Sequence, residues 1–312
     1  MRILVVGAGA TGGYFGGRLL AAGRDVTFLV RPGRAARLAA DGLDIRSPMG
    51  DLHLPAPPTV LAERLVRPFD LILVGCKTYD LDGAMDAFAP AVGPDTLVLP
   101  LLNGMAHFEA LDGRFGPGRV LGGLCLISSV LGPGGRIVHR NRNHAIVFGA
   151  RDGAQAGRLQ AVAADLCGAG FEARPSADIV QELWEKWVFI AATAGVTCLL
   201  RGDVGDVVAA GGAGFAQAML AECAAAAGGQ GRPPRPEALA RMQAYLTEPG
   251  SQARASMLDD LERGGPVEAG PVIGELLRLG RLGGAPCPLL GLASLHLAVY
   301  EGRAGHRQRG AG

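Results

Sequence analysis

Hydrophobic residues in the first 175 positions of this 312-residue chain fall in short unbroken runs, and those in the remainder recur at helical spacing. Residues 3–6, 26–30, "FDLILVGCK" and "DTLVLPLLNG" are apolar without alternation, the mark of strands buried on both faces of a parallel sheet. Helical patterns lie between them, the first ending at Gly23. "LDIRSPMGDLHLPAP" reads as a β-hairpin, and "RVLGGLCLISSVLG" and "GRIVHRNRNHAIVFGA" as two strands across a Gly/Pro turn. Turn chemistry in "ARPSAD" closes this α/β region at residue 175. Helical segments are predicted over 178–200, 206–227, 236–263 and 270–283, and from Pro288 onward, with an unstructured tail from Gly305. The expected architecture is a doubly wound sheet domain, 1–175, followed by an all-helical substrate and dimerisation domain, 176–312. The expected active site lies in the cleft between them.

The first strand runs directly into Gly7-x-Gly9-x-x-Gly12. In a chain with 49 glycines such a match is weak by itself, but here it sits between a strand and a helix inside a βαβ unit. Gly7 suits a tight turn, Gly9 the approach of a pyrophosphate, and Gly12 close helix-to-strand packing. The following helix offers its first amides, at Ala10 and Thr11, to phosphate oxygens. The domain is therefore expected to be a Rossmann-type dinucleotide site. Where an NAD site usually carries an acid, the second strand ends in Arg31, with Arg34 and Arg37 behind it, which points to NADP. Lys77 and Asn103 stand at the carboxyl ends of later strands, where open α/β sheets bind ligands.

Charge and composition narrow the partners. Thirty basic residues against 29 acidic ones give a net charge of +1, leaving no field for nucleic acid or an anionic membrane. Six scattered cysteines without a CxxC pair predict reduced, mostly buried thiols and no metal site. The N-terminus lacks a cleavable signal pattern, and the apolar run 187–200 is short for a membrane span, so a soluble cytoplasmic protein is expected.

"WEKWVFIAATAGVTCLL" sets Lys186 at the head of that apolar run. The bland reading pairs Lys186 with Glu182 one turn earlier on a wet helix face. The functional reading makes it a proton donor in apolar surroundings supplied by Trp184, Trp187 and Phe189. Glu268 reads either as a first-turn acid or as a partner for that lysine. Asn103 reads as a turn cap or a ligand, and Ser256 as an exposed helical serine or a ligand. His107, His139 and His144 read as structural or solvated, and Arg136, Arg140 and Arg142 as a solvated hairpin surface.

Together "GAGATGG", the Arg after the second strand, "VGCKTYDL", "LLNGM", "LWEKW" and "SMLDDLERGGPVEAG" resemble the ketopantoate reductase (2-dehydropantoate 2-reductase) family over nearly the whole chain. The resemblance implies NADPH-dependent reduction of a 2-oxo acid, with Lys186 as general acid and Glu268 in the active site. It also implies substrate contacts from Asn103 and Ser256, and Lys77 near the ribose and nicotinamide end of the cofactor. A role in pantothenate biosynthesis and a homodimer through the helical domain are consistent with it. Where the family carries two substrate-binding asparagines, four and eight residues after the lysine, this chain has Ile190 and Ala194. That departure favours a carbonyl substrate with an apolar arm, in a specialised pathway, over ketopantoate. Thr193, about 20° around the helix from Lys186, offers a substitute hydroxyl. A non-catalytic NADP sensor is the reading from another class, and it leaves Lys186, Glu268 and Asn103 without a task.

Overall fold

The computed structural model describes residues 1–309. They form two units, one of residues 1–102 and 107–180, the other of 103–106 and 181 onward. The first unit begins β1 (Arg2–Val6), α1 (Ala10–Ala21), β2 (Asp25–Leu29) and α2 (Pro32–Asp41). It continues with β3 (Leu43–Arg46), β4 (Leu52–Leu54), β5 (Thr59–Val60), β6 (Leu71–Val74), α3 (Leu81–Phe88) and β7 (Leu97–Pro100). Then come α4 (His107–Phe115), β8 (Gly122–Leu131), β9 (Ile137–Gly149), α5 (Leu159–Leu166) and β10 (Glu172–Pro175).

β5, β2, β1, β6 and β7 form, in that order, a wholly parallel Rossmann-type sheet. Every residue of β6 and β7 is buried, as the unbroken apolar runs require. The chain leaves β1 toward β2 on one side and returns to β6 on the other. The order therefore reverses at β1, and the carboxyl end of that strand is the ligand-binding edge.

The unit holds a second sheet beside the Rossmann-type one. β10, β9, β3 and β4 form a second, mixed sheet, with β8 antiparallel to β9. β3 and β4 pair as the expected hairpin. The glycines of α1 explain how one helix serves both sheets. A Cβ at Gly16 would lie 2.6 Å from the Phe28 ring of the first sheet, and one at Gly13 2.5 Å from Ile137 of the second. Gly12 and Gly16 thus form one ridge four residues apart, and Gly13 and Gly17 its neighbour, each letting a sheet approach the helix axis. Tyr14 and Phe15, fully buried, fill the space around them.

His139 and His144 belong to this packing. His139 contacts Ser47 Oγ at 2.8 Å through Nδ1, and Asn141 and the Asn143 carbonyl at 3.0 Å through Nε2. Tyr14 Oη lies 2.9 Å from His144 Nδ1.

The second unit is helical: α6 (Ile179–Leu200), α7 (Val204–Ala209), α8 (Ala213–Gly228), α9 (Pro236–Leu246), α10 (Ser256–Glu262), α11 (Glu275–Leu282) and α12 (Pro288–Arg309). The first two residues of α6 belong to the sheet unit. There Ile179 packs over Gly122 and Gly149, which face each other across β8 and β9. By length and hydropathy α6 could cross a membrane, but 67% of its apolar window is buried, and it forms the core helix of this unit.

Two expected helices are interrupted. The 206–227 segment breaks at Gly211, with φ +82°, and 236–263 breaks after Leu246, where Pro249 and Gly250 interrupt the pattern. The tail expected to be unstructured is helical to Arg309, and its last three residues lie outside the described ones. All six cysteines are free thiols, four of them buried, and burial pushes Cys198 up to about 12.

One buried carboxylate fixes α6 to α9. Glu185 accepts hydrogen bonds from Arg235 Nε and Nη2, both at 2.7 Å, and from the Arg235 main-chain N–H at 2.9 Å. Burial alone would raise the Glu185 pKa; the Arg235 bonds and charge, with Gln181, hold it below its ordinary value.

Candidate active site

The phosphate-binding end of the sheet unit is made of backbone. Gly7 turns with φ +89°, and a Cβ at Gly12 would collide with the Gly7 carbonyl oxygen. A Cβ at Gly9 would meet nothing within 4 Å, so Gly9 leaves open space where the loop faces outward. No side chain caps α1 at Gly9, and the first-turn amides lack intrahelical acceptors, as an anion site requires. Gly75, absent from the motif reading, completes the packing: its Cβ would stand 2.9 Å from Gly12 Cα. The "VGCK" string held that signal, since only glycine permits this approach. These features fit the pyrophosphate of a dinucleotide.

At the ribose end the three arginines part company. Arg34 donates through Nε to the Ala8 carbonyl at 3.0 Å and through Nη1 to the Gly135 carbonyl at 3.1 Å, so it braces the glycine loop. Burial and the Arg37 charge hold its pKa below the ordinary value. Arg31, at the N-cap of α2, keeps an exposed side chain and donates through Nη2 to Asp80 Oδ1 at 2.6 Å. That bond and the Asp80 charge raise the Arg31 pKa. Lys77 stands three residues past β6, at the N-cap position of a 3₁₀ turn, Thr78–Asp80.

In the helical unit, three segments that lie far apart in sequence meet. Trp187, 1% exposed, donates its indole N–H to the Val272 carbonyl at 2.8 Å. Val272 lies in a π-helical turn, Gly270–Gly274, that begins two residues after Glu268. Such turns release carbonyls from the regular helical ladder and often occur at functional sites. The residue beside Lys186 is thereby bonded to the segment that carries Glu268. The loop Asn103–Ala106 comes to the same place: Gly104 has φ +77°, and a Cβ there would lie 2.5 Å from the Pro271 carbonyl oxygen. Glu268 is 7% exposed, and its main-chain carbonyl accepts from the Val272 N–H at 3.2 Å. Lys186 is half-buried in the second turn of α6.

Ser256 stands apart. It is exposed, at the first position of α10, and the preceding Ala255 N–H donates to Thr197 Oγ1 at 3.3 Å. Thr197 is about 16 Å along the axis of α6 from Lys186. An ion-pair network fixes this approach: Arg254 binds Asp203 and, at 2.8 Å, Glu262. Ile190 is half-buried, whereas Ala194, 2% exposed, packs in the helical core. The Thr193 hydroxyl donates to the Phe189 carbonyl at 2.8 Å, which commits its hydrogen within the helix. Tyr245 of α9 packs edge-on against Phe189, ring centroids 4.9 Å apart.

Comparison with known proteins decides the family. Residues 3–153 match the family described as ketopantoate reductase PanE/ApbA, and residues 178–301 match its C-terminal part. The chain belongs to the ketopantoate reductase family. As such it is an oxidoreductase acting on a carbonyl or hydroxyl group with a nicotinamide cofactor. Within the family it is 34% identical to the uncharacterized oxidoreductase YkpB of Bacillus subtilis, over 96% of this chain and 99% of that protein. It is 28% identical to the 2-dehydropantoate 2-reductase of Mesorhizobium japonicum, over 93% of this chain and 94% of that one. The crystal structure of 2-dehydropantoate 2-reductase from Geobacter metallireducens GS-15 superposes with a TM-score of 0.86 at 31% identity, covering 96% of this chain and 99% of that one. A D-mandelate dehydrogenase shares the fold, with a TM-score of 0.87 at 20% identity over 98% of this chain and all of that one.

Proposed function

We propose that the protein is an NADPH-dependent reductase of a small 2-oxo acid or related ketone, with an apolar arm on the substrate, and that Lys186 is its general acid. The observation that carries this reading is the meeting of the Lys186, Glu268 and Asn103 segments around residues 268–272. A helix-surface lysine needs no such convergence, and a nucleotide sensor needs only the glycine cradle.

When bound, the nicotinamide supplies a hydride to the carbonyl carbon. As that C–H bond forms, the C=O π electrons move onto oxygen. The Lys186 ammonium stabilises the developing alkoxide and gives it a proton, producing the hydroxyl group and a neutral amine. Glu268, a carboxylate in a nearly closed setting, orients the ammonium, and Asn103 presents an amide to the substrate. Arg31 meets the adenosine 2′-phosphate. Ser256, on α10 beside the Thr197 turn of α6, serves only the far arm of a substrate.

Ile190 favours an apolar arm. Ala194 is too deep in the core to present a polar group, and Thr193 has spent its donor on Phe189. A substrate hydroxyl desolvated there without a partner costs about 1–3 kcal/mol. The test is NADPH oxidation against ketopantoate, 2-oxoisovalerate and bulkier apolar ketones. An apolar 2-oxo acid is expected to lead. A ketopantoate efficiency of about 10⁴ M⁻¹s⁻¹ or more, unmatched by any apolar analogue, would restore the reaction in the family's name.

A further inference from the structure

The Arg31–Asp80 ion pair crosses the sheet. Arg31 follows β2 and Asp80 follows β6, and these strands are separated by β1, hence by about 10 Å. Yet Arg31 Nη2 and Asp80 Oδ1 lie 2.6 Å apart. The two side chains therefore reach toward each other over the carboxyl end of β1, where the Gly7–Gly12 loop begins. No other acid bonds Arg31 among the ion pairs of the described residues.

We propose that Asp80 is a specificity-determining residue: by holding Arg31 across the mouth of the cradle, it weakens the site's preference for a phosphorylated over an unphosphorylated adenosine ribose. This rests on the reading that Arg31 faces the ribose. The Arg31 side chain is 81% exposed and the Asp80 side chain 35%, so the pair is of the weak, exchangeable kind. A 2′-phosphate offers the guanidinium more charge and a two-point hydrogen-bond partner, and draws it from Asp80. The carboxylate then stands beside the phosphate as an uncompensated like charge. With an unphosphorylated ribose the pair stays intact, and the remaining Asp80 oxygen accepts a hydrogen bond from a ribose hydroxyl. The acid that an NAD site carries at the end of its second strand is thus supplied here from beyond the fourth strand of the sheet.

The experiment measures Kd for NADPH and for NADH by titration of the unmodified protein, Asp80→Asn, Asp80→Ser and Arg31→Ala, with melting curves to show each variant folded. Asp80→Asn is expected to widen the NADPH:NADH preference by about fivefold, the upper scale of an exposed ion pair, and Asp80→Ser to do the same. An unchanged ratio in both variants overturns the proposal. A narrowed ratio overturns it too, because Asp80 would then be orienting Arg31 toward the phosphate. The ribose assignment is tested separately: if Arg31→Ala leaves the ratio of the unmodified protein unaltered, that assignment fails, whatever the Asp80 variants do.

Discussion

The glycine cradle of the sheet unit and the Lys186 region of the helical unit are built on opposite plans. The cradle works through what is missing: without Cβ atoms at Gly12 and Gly75, and with Gly7 turned to positive φ, backbone meets backbone and an amide-lined opening remains. The Lys186 region works through what is added. An indole, a buried carboxylate and a π-helical turn tie segments together that the sequence keeps far apart. A site made of omissions is local and tolerates little. A site made of side-chain bonds is assembled at a distance and can be taken apart one bond at a time.

Four substitutions probe that contrast. The largest effect is expected for Lys186→Ala, which should lower kcat by about two orders of magnitude or more, the usual scale for a lost general acid. NADPH affinity should hardly change. Full activity in this variant would return Lys186 to the helix surface.

Arg235→Ala removes the partner of buried Glu185 and should cost about 3 kcal/mol of stability, read as a lower urea midpoint. Its pH dependence has a definite sign. The folded-state pKa of Glu185 is depressed, so the stability gained from the pair is present above the unfolded value of about 4.3 and lost as pH falls through the folded value. The difference between variant and unmodified protein should therefore shrink below about pH 4. A gap that stays constant to pH 3 would assign the loss to packing.

In the cradle, Gly12→Ala should destabilise the protein by about 1–3 kcal/mol and weaken both NADPH and NADH, since the intruding Cβ meets backbone at Gly7. Turnover at saturating cofactor should fall far less than affinity. A variant with normal cofactor binding would show that α1 can shift to make room. The smallest effect is expected for Trp187→Phe, which keeps an aromatic side chain but removes the indole N–H bond to the Val272 carbonyl, at about 1–2 kcal/mol in stability. Because it loosens Lys186 from the Glu268 segment, kcat should drop while cofactor Kd holds. Equal kcat in the two proteins would reduce Trp187 to packing.

Much of the first unit was legible because its signals are local. An unbroken apolar run, a glycine at the turn and a glycine one helical turn later all act on neighbours within a βαβ unit. The second sheet was not legible, because the choice between one sheet and two lies in pairings such as β3 with β9, far apart in the chain. The same limit governed the arginines. Arg31, Arg34 and Arg37 look alike in the string, and only the folded chain sends Arg34 to the Ala8 and Gly135 carbonyls and Arg31 to Asp80.

In the helical unit the motifs marked Lys186, Glu268, Asn103 and Ser256 but not their grouping. Lys186, Glu268 and Asn103 belong to segments that meet around Val272 and Pro271, while Ser256 is tied to α6 three turns away. Periodicity spoke for Ala194 as a companion of Lys186, yet packing against the other helices buries it, because a helix face is defined by its neighbours and not by its angle alone. By itself the sequence determined the parallel sheet, the glycine turn and the helical second half, since backbone conformation and hydrophobic period are properties of adjacent residues. Only the tertiary structure decided which charges pair, which polar groups remain available and which motif residues share a neighbourhood. Those outcomes depend on distances of a few ångströms between segments that no local pattern relates.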